Sequence, residues 1–266
     1  MLPPKTVAMT SDTVVVVPSA GRVDPGPTVA GVAGWPVIWV DDAPDAVAAP
    51  PGTEGVRAGG RGFAAAANLG LARARDQGYA WAVLLNDDAV PRPGCIRALR
   101  DAVDREGVVA AGAVLEGPDG VESAGLRFHE ATARLRQLTE VPGDVQAVDA
   151  LSGACLLVPT DVRFDEGFPH GMEDVELARR LRAGGGTLVV VPGARCWHQG
   201  GGTVDRRSRG AARDAVRGHL RLAGASRVRR GLVVAYALAQ VAREGGPAER
   251  VLGIWEGVRT GPGQTP

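Results

Sequence analysis

Three short groups of polar residues in this sequence have the types and spacing to do chemistry. Asn86-Asp87-Asp88 follows the apolar run Ala82–Leu85. At a strand end, residues i and i+2 point to the same side, so Asn86 and Asp88 can face one ion while Asp87 points elsewhere. Hard oxygens of this kind are what Mg²⁺ or Mn²⁺ prefer. Glu173-Asp174 opens a stretch with Val175, Ala178 and Leu181 at helical spacing. A carboxylate at a helix start is held in a fixed direction, favoured by the helix dipole, and can act as a proton acceptor. The same dipole lowers its pKa, so burial must offset that for base catalysis. His198, within Trp197-His198-Gln199-Gly200, is a metal ligand or a satisfied loop residue. Each group also has a plain structural reading, because Asp, Asn and Ser form turns and acidic residues cap helices.

The elements that must position these residues are legible as apolar runs. Val14–Val17 ends at Pro18-Ser19, Val37–Val40 at Asp41-Asp42, and Ala82–Leu85 at Asn86. Continuous rather than alternating runs indicate strands buried on both faces, as in a parallel sheet. Helices are expected over Phe63–Gln77, closed by Gly78, and roughly Cys95–Asp104 after Pro93-Gly94. Strand, helix, strand is the pattern of a doubly wound α/β fold, in which ligands collect at the carboxyl ends of strands. Further on, Val108–Leu115 and Gly125–Arg134 flank a turn at Gly117-Pro118-Asp119-Gly120. Val148–Val158 reads as one strand with a central Ser152-Gly153, Glu173–Arg182 as a helix stopped by three glycines, and Leu188–Val191 as a last strand.

Composition limits the alternatives. The chain has 266 residues, 45% hydrophobic and 23% charged, so it can bury a core and is not a disordered protein. Thirty basic and thirty acidic residues cancel, which argues against a polyelectrolyte built around nucleic acid. Cys95, Cys155 and Cys196 contain no CxxC pair and suit a reducing compartment rather than a disulfide scaffold. Met1–Ser11 lacks a charged start followed by an apolar run, so no signal peptide is expected, and Leu232–Ala242 is too short to span a bilayer. The expectation is a cytoplasmic protein, with contact at the membrane periphery one option. Gly59-Gly60-Arg61-Gly62 is neither a phosphate loop, lacking GKS or GKT, nor a GxGxxG fingerprint.

Taken in order, several pieces resemble the family 2 glycosyltransferases, which have the GT-A fold, and their rhamnosyltransferase-like branch in particular. They are Val14-Val15-Val16-Val17-Pro18, Val37-Ile38-Trp39-Val40-Asp41-Asp42, Arg61-Gly62-Phe63 with Asn68-Leu69-Gly70, Leu84-Leu85-Asn86-Asp87-Asp88, and Ser152-Gly153-Ala154-Cys155. Phe164-Asp165-Glu166-Gly167-Phe168 through Glu173-Asp174-Val175-Glu176-Leu177 is the densest piece, and His198 with Gly200-Gly201-Gly202 closes the set. The resemblance covers about residues 13–203 and implies a GT-A-like, mostly parallel sheet flanked by helices, followed by a helical extension over 204–266. It implies a metal-dependent, inverting transfer of a sugar from a nucleoside-diphosphate donor to an acceptor hydroxyl.

The same resemblance assigns roles. Asp88 and His198 hold Mg²⁺ or Mn²⁺ at the donor diphosphate, and the metal offsets the charge of the leaving group. Asp41 contacts the nucleoside, with Asp42 competing, and Pro18 and Ser19 line the same pocket through the backbone. Arg61, Asn68, Asn86 and Asp87 are further donor contacts, Asp87 toward the ribose. Asp174 is the general base and Glu173 its neighbour at the acceptor. The donor is a UDP- or dTDP-sugar, and the acceptor is either lipid-linked or a small metabolite. A nucleotidyltransferase and a catalytically inactive sugar-nucleotide-binding protein are the alternatives.

The charge distribution is uneven despite its zero total. Residues 201–230 hold nine Arg against Asp205 and Asp214. An anionic membrane surface could meet this segment, or its arginines could pair with the acidic main domain.

Overall fold

The computed structural model describes residues 12–130, 132, 134–168, 171–199, 208–243 and 248–260. Along the chain run β1 (Thr13–Ser19), α1 (Gly26–Gly31), β2 (Val37–Asp41), β3 (Glu54–Arg57), α2 (Phe63–Asp76), β4 (Trp81–Leu85), β5 (Ala89–Pro91), α3 (Cys95–Ala102) and β6 (Val108–Gly117). Then follow β7 (Gly120–Ser123), β8 (Leu126–His129), β9 (Arg134–Gln137), β10 (Gln146–Val148), β11 (Cys155–Pro159), α4 (Glu173–Ala183) and β12 (Thr187–His198). Three helices close the chain: α5 (Arg209–Ala223), α6 (Arg227–Arg243) and α7 (Ala248–Thr260).

One large sheet has the order β10-β12-β6-β11-β4-β1-β2-β3, with β5 on β12 and β7 on β6. The first half is the parallel sheet expected from the apolar runs: β1 pairs in parallel with β2 and β4, and β2 with β3. Beyond β4 the sheet becomes mixed, because β11 runs antiparallel to both β4 and β6, while β6 and β12 are parallel. This arrangement gathers the carboxyl ends of β1, β2, β4 and β12 and the amino end of β11 at one edge. Residues far apart in sequence meet there.

Both faces of the sheet are buried. Val14 and Val16 of β1 face a core shared with α2, α4 and α5, whereas Val15 and Val17 face one shared with α3. The Ala-rich start of α2 lets that helix lie close to the sheet, with Ala64–Ala67 all buried. At Gly70 the approach is so close that a Cβ would stand 2.3 Å from Val16 Cγ1, which only glycine avoids. Cys95, Cys155 and Cys196 are free, buried and clustered, coming from α3, β11 and β12. Hydrogen bonding to Cys196 and Cys95, with burial added, raises the Cys155 pKa, so it stays a neutral thiol packed as a small hydrophobe.

Two readings of the sequence need correction. The expected strand Val148–Val158 is two strands: β10 ends at Val148, β11 begins at Cys155, and the segment between them bends toward α4. The segment Gly125–Arg134 is divided in the same way between β8 and β9, which form a separate antiparallel pair. The short elements α1 and β3 carry no periodic signal, and α1 sits in a Gly- and Pro-rich stretch that reads as loop. The C-terminal helices are not a detached appendage. Val216, Leu220, Leu222 and Ala223 of α5, with Val233, Val241 and Ile254 behind them, belong to the same buried cluster as α2 and α4.

Candidate active site

Asn86-Asp87-Asp88 form the turn between β4 and β5, closed by the Ala89 N–H donating to Asn86 carbonyl at 3.1 Å, and this turn sends Asp87 to the opposite side from Asn86 and Asp88. Asp87 turns into the protein: its carboxylate accepts a 2.7 Å hydrogen bond from the Ser19 hydroxyl, and its carbonyl accepts one from Thr28 at 2.8 Å. Burial raises the Asp87 pKa despite the Ser19 bond. Asn86 and Asp88 turn the other way, to the end of β12. The Asn86 amide nitrogen lies 3.3 Å from His198 Nε2, and Asp88 Oδ1 is also 3.3 Å from that nitrogen. Asp88 and His198 side chains are 6% and 9% exposed, so these donor atoms meet in a largely dry place.

One member of this group is not apparent from sequence. Glu122 of β7 places Oε2 2.7 Å from His198 Nδ1. A carboxylate only accepts, so Nδ1 donates to Glu122 and Nε2 to Asp88; an ion at Nε2 would displace the proton on that nitrogen, while Glu122 keeps the one on Nδ1. Burial by itself would lower the imidazole's pKa, but hydrogen bonds to Asp88 and Glu122 outweigh it and push it up to about 9. Glu122 is invisible in the linear sequence because it lies in a hairpin with no motif of its own, and only the β6–β7 pairing brings it to β12.

The second part of the site is the start of α4. The residue before it, Met172, has φ 71°, the one described non-glycine residue at positive φ, a strained conformation of the kind that functional sites retain. From this turn Glu173 enters the interior and Asp174 is half-buried. The Asp174 carboxylate accepts hydrogen bonds from the backbone N–H of Gly153 at 3.1 Å and of Val175 at 2.8 Å. Glu173 Oε2 is buried without a partner. Burial, then the neighbouring Asp174 charge, pushes the Glu173 carboxyl up to about 8. Burial raises Asp174 as well, but its two backbone donors work against that. Of the two, Glu173 holds its proton to the higher pH, because it lacks the backbone N–H donors that favour the ionised form of Asp174.

Gly153-Ala154 joins the two parts. Ala154 carbonyl accepts from Asn86 N–H at 3.0 Å, and the preceding Gly153 N–H donates to Asp174. The bend that splits the expected strand is thus the piece of backbone that holds the β4 end and the α4 start together.

The remaining candidates form two further groups. The Asp41 carboxylate is buried and already accepts from Ala43 N–H, Val47 N–H and Arg57 Nη1, at 3.0, 2.9 and 2.7 Å. Asp42 accepts from the N–H groups of Arg61 and Gly62 at 2.7 and 2.9 Å. Ser19 carbonyl accepts from Asp42 N–H, and Pro18 is paired in β1 beside Val40. These residues build the wall at the ends of β1 and β2, with Arg57 of β3 an unforeseen member. Asn68 is taken up elsewhere: its oxygen accepts from Phe164 N–H at 2.7 Å, and its nitrogen donates to Phe164 carbonyl and Glu166. Arg61 donates to the same Glu166 at 3.2 Å. Asn68 thus clamps α2 to the 164–166 loop. Gly200-Gly201-Gly202 lie outside the described residues.

The sequence matches the family described as glycosyltransferase-like family 2 over residues 37–219, and the chain belongs to that family. It is 32% identical over 143 residues to N-acetylglucosaminyl-diphospho-decaprenol L-rhamnosyltransferase from two Mycobacterium tuberculosis strains, CDC 1551 / Oshkosh and ATCC 25618 / H37Rv. Each match covers 44% of this chain and 46% of the relative, so the chain spans just under half the length of these curated relatives. Among solved structures, GalNAc-T7 with UDP, GalNAc and Mn²⁺ superposes with TM-score 0.60 at 13% identity, over 79% of this chain and 47% of that one. S. aureus TarS 1–349 in complex with UDP gives TM-score 0.54 at 11% identity, over 87% and 72%. The fold is GT-A-like, as expected from the sequence.

Proposed function

We propose that this protein transfers a sugar, with inversion, from a nucleoside-diphosphate donor to an acceptor hydroxyl, using a divalent metal at the donor and Asp174 as base. The observation that carries the reading is the Gly153-Ala154 bridge. It ties the end of β4 at Asn86 and the Asp174 carboxylate to one short backbone segment, which supports the reading.

The residues present fit a divalent ion. Asp88 Oδ1 and His198 Nε2 are as close as two ligands of one ion, and the Asn86 amide nitrogen lies 3.3 Å from the same imidazole nitrogen as a donor beside them. Among the described residues no group of three or more His, Cys, Asp or Glu could enclose a metal. This suits an ion that is shared with a diphosphate rather than caged by protein. When bound, Mg²⁺ or Mn²⁺ would offset the charge growing on the leaving diphosphate. GalNAc-T7 was solved with UDP and Mn²⁺ and TarS with UDP, which favours a uridine diphosphate sugar here.

Asp174, whose ionised form is favoured by the backbone N–H groups of Gly153 and Val175, would take the proton of the acceptor hydroxyl as that oxygen attacks the anomeric carbon. Its charge would also stabilise an oxocarbenium-like transition state. Asp41, Pro18 and Ser19 would form the nucleoside wall. Arg61 would act at the donor from the Asp42 loop, and Asn86 and Asp87 would hold the β4 end in place. Asn68 would serve that donor side indirectly, through Glu166. The Mycobacterium tuberculosis relatives are named for a lipid-linked diphosphate acceptor, which favours an acceptor of that class.

The test is a thermal-shift and calorimetry screen of UDP and dTDP, with and without Mn²⁺. Metal-dependent binding is expected in the wild type and absent in Asp88→Ala. Equal affinity in the two proteins with Mn²⁺ present would refute the metal assignment.

A further inference from the structure

We propose that α6, with the adjoining end of α7, docks this protein on an anionic phospholipid surface. Seven large hydrophobic residues are exposed among the described residues, and six of them lie on these two helices. Val228 is 75% exposed, Leu232 45% and Trp255 60%, joined by Tyr236, Leu238 and Leu252. On α6 the exposed positions between its arginine ends are Val228, Gly231, Leu232, Ala235, Tyr236, Leu238, Ala239 and Ala242. No charged residue occurs from Gly231 to Ala242. A surface helix normally turns charged residues outward; this one is apolar on both its buried and its open sides, which marks an interaction site.

Length and charge decide the occupant. Twelve residues of helix extend only about 18 Å, well short of the roughly 30 Å hydrocarbon core. No described helix is long and apolar enough to cross a membrane. Such a face suits a helix lying in the plane of the headgroups, with Tyr236 and Trp255 as the amphipathic aromatics found at that depth. Arginines frame the face, Arg227 and Arg230 at one end and Arg243 at the other, while Nε and Nη2 of Arg229 are buried. Over 208–243 there are eight arginines and one acidic residue, Asp214. Arg209, Arg213 and Arg221 are engaged by Glu256, Asp214 and Asp165. Among the described residues no carboxylate forms an ion pair with Arg227, Arg230 or Arg243. Anionic headgroups complement this frame. A second copy fits less well, because a two-fold antiparallel pairing of α6 would set the arginines at one end against Arg243 of its mate.

The docking layer is attached to the candidate active site. Gly218 of α5 lies against the strained turn before α4, where a Cβ would be 2.9 Å from Met172 Cγ. Arg221 of α5 binds Asp165 at 2.8 Å and covers the Phe168 ring at 5.1 Å. A protein docked through α6 would therefore hold the loop leading to Glu173-Asp174 close to the membrane. That last step rests on the proposed activity; the docking itself does not.

The experiment is co-sedimentation of the full chain with phosphatidylcholine vesicles, with and without phosphatidylglycerol, at low and moderate salt. Binding is expected only with phosphatidylglycerol, and weaker at the higher salt. Val228→Glu with Leu232→Glu, both at exposed positions, should lower binding at least tenfold without changing the circular dichroism melt or UDP affinity. Arg227→Ala with Arg243→Ala should weaken binding and reduce its salt dependence. Absence of binding to phosphatidylglycerol vesicles at low salt would overturn the proposal, as would undiminished binding of the double Glu variant. So would a dimer in sedimentation velocity that the double Glu variant dissolves, since the face would then belong to a second copy.

Discussion

Glu122 Oε2 lies 2.7 Å from Nδ1 of His198, and this contact fixes which face of the imidazole meets Asp88. The carboxylate stands behind the imidazole as it does behind metal-bound histidines generally, orienting the ring and raising its basicity. Glu122→Gln keeps the shape but can present an N–H to Nδ1, releasing the ring's tautomer. The expected outcome is about 10–100-fold weaker Mn²⁺-dependent UDP binding by calorimetry, with metal-free UDP binding little changed. Unchanged Mn²⁺ dependence would mean that Glu122 only fills space.

Loss of Asp174 should separate binding from chemistry. Asp174→Asn retains one acceptor for the Gly153 and Val175 N–H groups instead of two, so about 1 kcal/mol of stability is lost. Donor affinity should hold, while single-turnover transfer falls about 10²–10⁴-fold. Turnover within a few-fold of wild type would remove Asp174 from the base role.

Glu173 gives a pH signature in stability. Its carboxyl binds a proton up to about pH 8 in the folded protein, against an ordinary value of 4.5. Between those two values the unfolded chain holds fewer protons, so this group makes stability fall as pH rises through the window. Glu173→Gln mimics the protonated form. Its melting temperature should exceed that of wild type at pH 8, by roughly 2–4 °C per kcal/mol recovered for a chain of this size, and the gain should vanish near pH 4. A difference independent of pH would show that Glu173 is ionised in the native state.

The C-terminal layer should act on the acceptor side alone. Gly218→Val drives a branched side chain into Met172 and toward the Gly171 carbonyl, 3.3 Å from the Cβ position. A shift of the α4 start by about 1 Å can cost up to about 10²-fold in rate. The expected result is lower kcat or higher acceptor KM with UDP affinity intact. Equal loss of UDP affinity would point to a general disturbance of the fold.

The sequence by itself determined the parallel half of the sheet, because Val14–Val17, Val37–Val40 and Ala82–Leu85 are runs that only strands buried on both faces use. The expectation that Asn86 and Asp88 share a side while Asp87 opposes them was met, but through the turn between β4 and β5 rather than the strand period. The order of the motifs pointed to the family. Tertiary structure alone decided the partners. Glu122 reaches His198 across 76 residues and Arg57 reaches Asp41 across 16. Asn68 is drawn 96 residues away to Phe164. Gly153 breaks an apolar run that reads as one strand because its N–H is needed by Asp174. Periodicity records which face a residue takes within its own element. It holds no information on which distant element will lie opposite, because that is set by how the two hydrophobic cores close around the sheet.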